Sequence, residues 1–383
     1  MQFDPTAPLD VGGTSPEQDD YATRVVDSVL ALAIRLGASD VHLSEVTEAN
    51  SAAGAGSAPE SGVGIRMRLR IHGQLLTLPI VPDGKQAKVM GRLKALAKLI
   101  TYRRDVPQEG RFRLGEFELR VGTLPTLHGE RAVVRLQLPR SESFGIDQLG
   151  LDENSFERLS HAVGRPSGVI VISGPAGSGK TTTAYACLRH AQSTSPPRSI
   201  VTLEDPVESQ IAGADQSQIS AEANYDWELG LKSVLRQDPE VLMIGEIRDD
   251  RTAQVVFKAA ATGQLVVTTL HSRSAADALV RLIEMGVPAH SIRSSLLFLS
   301  CQRLLPIVCE CVKSDADAIA DPKCSRCAGV GMQGRELRCE TLPPIESDFG
   351  AVLSQQPDSA RIHELAMTFG MQSLTSTINH QQQ

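Results

Sequence analysis

Between Tyr21 and Gly37 the apolar residues Val25, Val26, Val29, Leu30, Ala33 and Ile34 recur at the spacing of one helical face, and Gly37 marks the helix end. "ASDVHL" then opens a strand. "IRMRLRIHG" alternates strictly: Ile65, Met67, Leu69 and Ile71 face one way, and Arg66, Arg68, Arg70 and His72 the other. This predicts a half-buried strand with a cationic face. A helix is expected over Gln86–Leu99. "RFRLGEFELRV" reads as a hairpin turning at Gly115-Glu116, with Phe112, Leu114, Phe117, Leu119 and Val121 inward, and "RAVVRLQL" supplies another strand. The small, polar stretch Thr47–Gly62 has the composition of a flexible loop bridging two neighbouring strands. Residues 21–138 are therefore expected to form an α+β domain, preceded by an unstructured tail (1–20) and followed by a hinge (139–147).

After the hinge the pattern changes. Short, nearly continuous apolar runs, "GVIVIS", "SIVTLED", "VLMIGEI" and "QLVVTTLH", are separated by helix-length segments. A parallel sheet covered on both faces needs that arrangement, so 148–383 is expected to be an α/β domain.

Composition narrows the functional classes. Thirty-eight Lys and Arg against 45 Asp and Glu leave a formal charge of −7, which gives no overall field for nucleic acid or anionic lipid. No positive leader with an apolar core and no run of 18 apolar residues occurs, so the chain reads as cytoplasmic.

Directly after one strand and before a helix stands Gly174-Pro175-Ala176-Gly177-Ser178-Gly179-Lys180-Thr181-Thr182, which fits G-x-x-x-x-G-K-[ST]. Its glycines let the backbone close around phosphate, and the N–H groups of the following helix face the anion. Lys180 is placed to reach the β- and γ-oxygens and Thr181 to ligate Mg²⁺. "VLMIGE" ends in Glu246, a candidate carboxylate for the metal's water shell. "TLEDPVE" puts Glu204 and Asp205 at a strand's C-terminal end, the edge where parallel sheets bind ligands. Either acid could polarise an attacking water, and a helix cap or solvated loop would use the same residues. His271, at the tip of "VVTTLH", lies on that edge, where a histidine satisfied by backbone is the plainer reading.

Seven cysteines include two close pairs, Cys309/Cys311 and Cys324/Cys327, a spacing that suits a tetrahedral zinc site, with free structural thiols as the alternative. Cys187, Cys301 and Cys339 read as small buried hydrophobes.

Taken in order, "GPAGSGKTTT", "TLEDPVES", "LRQDPEVLMIGEIRD", "ATGQLVVTTLH", "RLIEMGVP" and "QRLL", with "GASDVHLSE", "VPQEGRFRL" and "LRVGTLPTLHGERAVVRL" before them, resemble the secretion ATPases of type II secretion and type IV pilus assembly. The resemblance covers roughly Ala38 to Leu374. It implies a RecA-like P-loop domain, a smaller PAS-like N-terminal domain, a zinc subdomain over 301–340 and C-terminal helices over 341–383. It further implies Glu204 as catalytic base, Glu246 as the carboxylate acting on Mg²⁺, His271 near the γ-phosphate, and Arg111 and Arg120 of the first domain completing an interdomain ATP site. "CSRCAGVGMQGR" resembles the family's zinc knuckle, although C-x-C replaces the usual C-x-x-C. Expected partners are five further copies in a homohexameric ring and an inner-membrane platform protein, with no direct nucleic acid. The function implied is ATP-driven assembly of pilin-like fibres or type II secretion, with a DNA-uptake or conjugation motor, or a pilus retraction ATPase, as alternatives. Gln264, His72 and Arg251 depart from the family pattern. The extra N-terminal domain of many relatives is absent from the chain, so a different or weaker membrane attachment is expected.

Overall fold

The computed structural model describes residues 20–46, 64–115, 117–137, 144–193, 196–312, 324, 326–327, 329–345, 349 and 358–374. The chain divides into two compact units, one of Met1–Ser141 with Pro306–Arg335 and one of Glu142–Leu305 with Glu336–Gln383. The expected tail apart from Asp20, the whole Thr47–Gly62 loop and residues 139–143 of the expected hinge lie outside the described residues, but Val46 and Gly64 on either side of the loop are cross-strand partners.

In the first unit α1 (Tyr21–Arg35) precedes β1 (Asp40–Val46), β2 (Gly64–Ile71) and β3 (Gln74–Pro82). Then come α2 (Gln86–Leu96), β4 (Gln108–Leu114), β5 (Phe117–Thr126) and β6 (Gly129–Gln137). The strands form one antiparallel sheet in the order β3-β2-β1-β6-β5-β4. Ile65, Met67, Leu69 and Ile71 are buried with Val25, Val29, Val89 and Leu93 of the two helices, which sets the inner face. The hairpin forms in the expected register, Leu114 opposite Phe117, but Leu114 is 39% exposed because its strand is the sheet edge. His72 and Gly73, at φ +49° and +89°, make the β2–β3 turn in the left-handed conformation that a two-residue hairpin of this twist requires.

The alternate positions carry charge. Arg111 is directly opposite Arg120, Arg120 opposite Arg135, Arg135 opposite Asp40, and Asp40 opposite Arg70. Only Asp40 interrupts this cross-strand row of arginines, and it takes an ion pair from Arg135 at 3.0 Å. On the inner side, Lys94 and Glu130 form a fully enclosed pair at 2.6 Å, with Lys94 also donating to the Arg103 carbonyl at 2.6 Å.

The second unit begins with α3 (Glu153–Val163), β7 (Gly168–Ser173), α4 (Lys180–Gln192), β8 (Ile200–Glu204) and β9 (Asp215–Gln218). It continues with α5 (Trp227–Val234), β10 (Val241–Ile244), α6 (Asp250–Ala261), β11 (Leu265–Leu270), α7 (Ala275–Glu284) and α8 (Ala289–Ser295). β12 (Leu296–Val308), β13 (Met332–Thr341) and α9 (Ser359–Thr368) complete the element order. The sheet order is β13-β12-β7-β11-β10-β8-β9, with parallel pairing from β12 through β9. Successive residues of one strand feed opposite cores. Val169 and Val171 join the helices α5 to α9, whereas Ile170 and Ile172 join α3 and α4. Continuous apolar runs are thus required because no face of these strands meets water.

Candidate functional site

Parallel register turns chain order into a line of chemistry. β7, β11, β10 and β8 are consecutive neighbours, and their C-terminal ends deliver Lys180, His271, Glu246 and Glu204 in that spatial order. These four candidate residues therefore share one sheet edge, Glu204, Glu246 and His271 within two residues of their strand ends and Lys180 at the start of the helix that follows β7.

The loop between β7 and α4 is shaped by glycine. Gly174, Gly177 and Gly179 have φ of +142°, +74° and +86°. A methyl group on Gly174 would stand 2.4 Å from the Gln302 carbonyl and 2.7 Å from Ser178 Oγ, so the close approach admits no side chain. Gln302, on β12, donates from Nε2 to the Ser178 carbonyl at 2.7 Å and accepts from Thr183 Oγ1 at 3.1 Å. It ties the loop to the first turn of α4, a bracing role with no signal in the motif itself.

Lys180 is nearly buried and donates to the carbonyls of Gly174 and Pro175 at 2.9 and 3.0 Å. Burial lowers its pKa, and the nearby Glu246 carboxylate opposes that shift. His271 Nδ1 lies 3.5 Å from Lys180 Nζ, and its Nε2 lies 3.4 Å from Glu246 Oε2. The plainer reading of a backbone-satisfied histidine does not hold: the side chain is 51% exposed and stands between a cation and an anion. Glu246 also pairs with Arg248, which reaches Asp205 Oδ2 at 3.3 Å and lies over the Trp227 ring.

Glu204 occupies a different environment. It is 2% exposed and accepts three hydrogen bonds, from Tyr185 Oη at 2.5 Å, Thr202 Oγ1 at 2.7 Å and Gln216 Nε2 at 3.1 Å. Both oxygens of this carboxylate are committed to donors within the protein. Glu208, four residues on in the same acidic segment, is exposed, and its backbone N–H donates to Tyr185 Oη at 3.1 Å.

The phosphate cradle suits a nucleoside triphosphate, because positive-φ glycines and a helix N-terminus turn backbone N–H groups toward one anion. Thr181 and Glu246 offer hard oxygen donors beside it, the ligand type that Mg²⁺ takes.

The four clustered cysteines make a second constellation. The Sγ atoms of Cys309, Cys311, Cys324 and Cys327 all lie within 4.8 Å of one another, with Cys309–Cys324 at 3.8 Å and Cys311–Cys327 at 3.4 Å. Four sulfurs about 2.3 Å from a tetrahedral zinc stand about 3.8 Å apart, so the donor set fits that ion. Both members of the C-x-C pair reach the cluster. The cysteine-bearing segment falls in the first compact unit, where Val330 packs on the core, instead of with 148–383 as expected. Arg111 and Arg120 also belong to the first unit.

A P-loop between a buried parallel strand and a helix, with acids on the adjoining strand ends, defines the second unit as a P-loop α/β fold. The family model for type II/IV secretion system proteins matches residues 16–382, and the chain belongs to that family. It is 35% identical to type II secretion system protein E of Pseudomonas aeruginosa, over 82% of this chain and 63% of the relative. It is 33% identical to the type IV pilus assembly ATPase PilB of Thermus thermophilus, over 93% of this chain and 41% of the relative. The chain thus spans less than two thirds of these relatives' lengths. In fold it resembles the ATPase DotB of Legionella pneumophila, with a TM-score of 0.65, 20% identity, and 95% and 92% of the two chains covered. The pilus retraction motor PilT gives a TM-score of 0.56 at 21% identity, with 92% and 95% covered. Among the described residues no helix is long and apolar enough to cross a membrane.

Proposed function

We propose that the chain hydrolyses ATP and that the hydrolysis drives a type II secretion or type IV pilus assembly machine from the cytoplasmic side, as a homohexamer acting on an inner-membrane platform protein. The observation that carries the catalytic reading is the alignment of Lys180, His271 and Glu246 on neighbouring strand ends beside the glycine cradle. The P-loop N–H groups and Lys180 hold the β- and γ-phosphates. Thr181 and Glu246 hold Mg²⁺, which when bound neutralises charge developing on the transferred phosphoryl oxygens. His271 keeps Lys180 and Glu246 in register.

Glu208 orients the attacking water: of the two exposed acids in the segment that follows β8, Asp205 pairs with Arg248 and Glu208 is fixed through its backbone on Tyr185, while Glu204 is enclosed. Arg111 and Arg120 are proposed to supply further positive charge to the γ-phosphate. The four cysteines hold a structural zinc. Binding of ATP in preference to ADP biases the conformation that performs work, since a ligand moves an equilibrium only by its preference between states.

Phosphate release and nucleotide binding by the full chain test this reading. K180A is expected to lose nucleotide binding. E208Q is expected to bind ATP and turn it over at least about 100-fold more slowly, the scale of general-base catalysis, and E204Q to retain measurable turnover. An inactive E204Q beside an active E208Q would return the base to Glu204, and a wild-type chain that releases no phosphate would overturn the enzyme assignment.

A further inference from the structure

The acidic segment after β8 is held by side chains instead of by a sheet ladder. Val207 N–H donates to Gln218 Oε1 at 3.0 Å, Glu208 N–H to Tyr185 Oη at 3.1 Å, and Ile211 N–H to Gln216 Oε1 at 2.7 Å. The Ser209 carbonyl accepts from Gln216 Nε2 at 3.0 Å. Each of these backbone groups is committed to a particular side chain, so the loop's path depends on where those side chains stand.

Two of the holders converge on one buried carboxylate. Tyr185 Oη donates to Glu204 Oε2, and Gln216 Nε2 donates to Glu204 Oε1. The phenol is 1% exposed, so it has no solvent to turn to. Burial, then the hydrogen bond to Glu204 and that residue's charge, push the tyrosine's ionisation far above its ordinary range, and it remains a donor at any working pH. A buried carboxylate costs stability unless its lone pairs are filled, and here they are filled by groups that also grip the loop.

Tyr185 stands on α4, whose first residue is Lys180. The helix that receives the phosphates therefore carries, about one and a half turns further on, the hydroxyl that fixes the Glu208 backbone. We propose that Tyr185, anchored on Glu204, is a positioning residue that sets Glu208 relative to the phosphate cradle, an inference that rests on reading Glu208 as the water-orienting acid. It gives the buried carboxylate of Glu204, at the end of β8, a part in holding the segment that follows.

Y185F removes the hydroxyl's bonds to the Glu204 carboxylate and to the backbone of Glu208 and Ser209 while keeping the ring. In the full chain it is expected to lower kcat about fivefold to tenfold, one net hydrogen bond's worth, and to leave KM for ATP within about twofold, because the phosphate cradle is untouched. Hydrogen–deuterium exchange of the peptide covering 205–211 is expected to quicken in Y185F without nucleotide. Wild-type kcat in Y185F, unchanged exchange, or a KM that rises in step with the loss of kcat would each overturn the proposal. The exchange arm reads the tyrosine's grip without any turnover. An inactive wild-type chain or an active E208Q sinks the assignment of Glu208, whereas unchanged exchange in Y185F sinks the brace alone.

Discussion

His271 Nε2 lies 3.4 Å from Glu246 Oε2, and the ring's other nitrogen lies 3.5 Å from Lys180 Nζ. An imidazole with its proton on Nε2 would serve both contacts, donating to the carboxylate and accepting from the ammonium. H271A leaves the cation and the anion without their spacer. The expected outcome is a kcat lower by about tenfold with nucleotide Kd within about twofold, read from single-turnover phosphate release against a binding titration. Equal losses in binding and turnover would show that the ring matters only for holding nucleotide.

The enclosed pair of Lys94 and Glu130 predicts an asymmetric response to substitution. K94M strands a carboxylate away from water and is expected to cost about 3–5 kcal/mol in a urea melt, whereas K94M/E130L recovers much of that loss. A single variant as stable as wild type would mean that Arg104, 3.5 Å from the same carboxylate, already suffices.

The cysteines should separate into two chemical classes. Burial pushes the Cys187 thiol up to about 12 and raises Cys301 and Cys339 as well. Purified protein is expected to carry about one zinc per chain. A chelator should release it and expose four thiols to a colorimetric reagent, with the other three silent until unfolding. Seven thiols reacting at one rate in the native chain would remove the case for the metal.

Asp249 caps α6, accepting from the Thr252 N–H at 2.8 Å, and the hydrogen bonds from Thr252 hold its carboxyl below the ordinary aspartate range. A depressed folded value means that the cap stabilises above the ordinary aspartate pKa and is lost as pH falls through the folded one. D249A is expected to cost about 1 kcal/mol at neutral pH. The gap from wild type should close in strong acid, and thermal melts across pH check both.

Much of the second unit was legible because its strands are buried on both faces: "GVIVIS" and "QLVVTTLH" became β7 and β11 within a residue at each end. β9 was not, since "DQSQ" is a polar edge strand paired on one side only. The positive-φ glycines and Lys180 followed from the motif, whose chemistry is local. The enclosure of Glu204 did not, because it depends on Tyr185 and Gln216, which come from α4 and β9. Similarly, Lys94 and Glu130 are 36 positions apart and carry no pattern that pairs them. Arg135 shares its face with Arg120 through register, yet alternation alone could not say which strands would be neighbours.

The first unit is assembled from two stretches of chain, and 306–335 returns to it after the P-loop unit has been largely completed. A fragment ending at residue 141 would therefore omit a piece of its own body, cysteines included. Likewise, one cut in the segment 138–143 would part the chain into two pieces and leave 306–335 on the piece that carries the P-loop unit. Anyone dissecting this chain must cut it in three places or keep it whole.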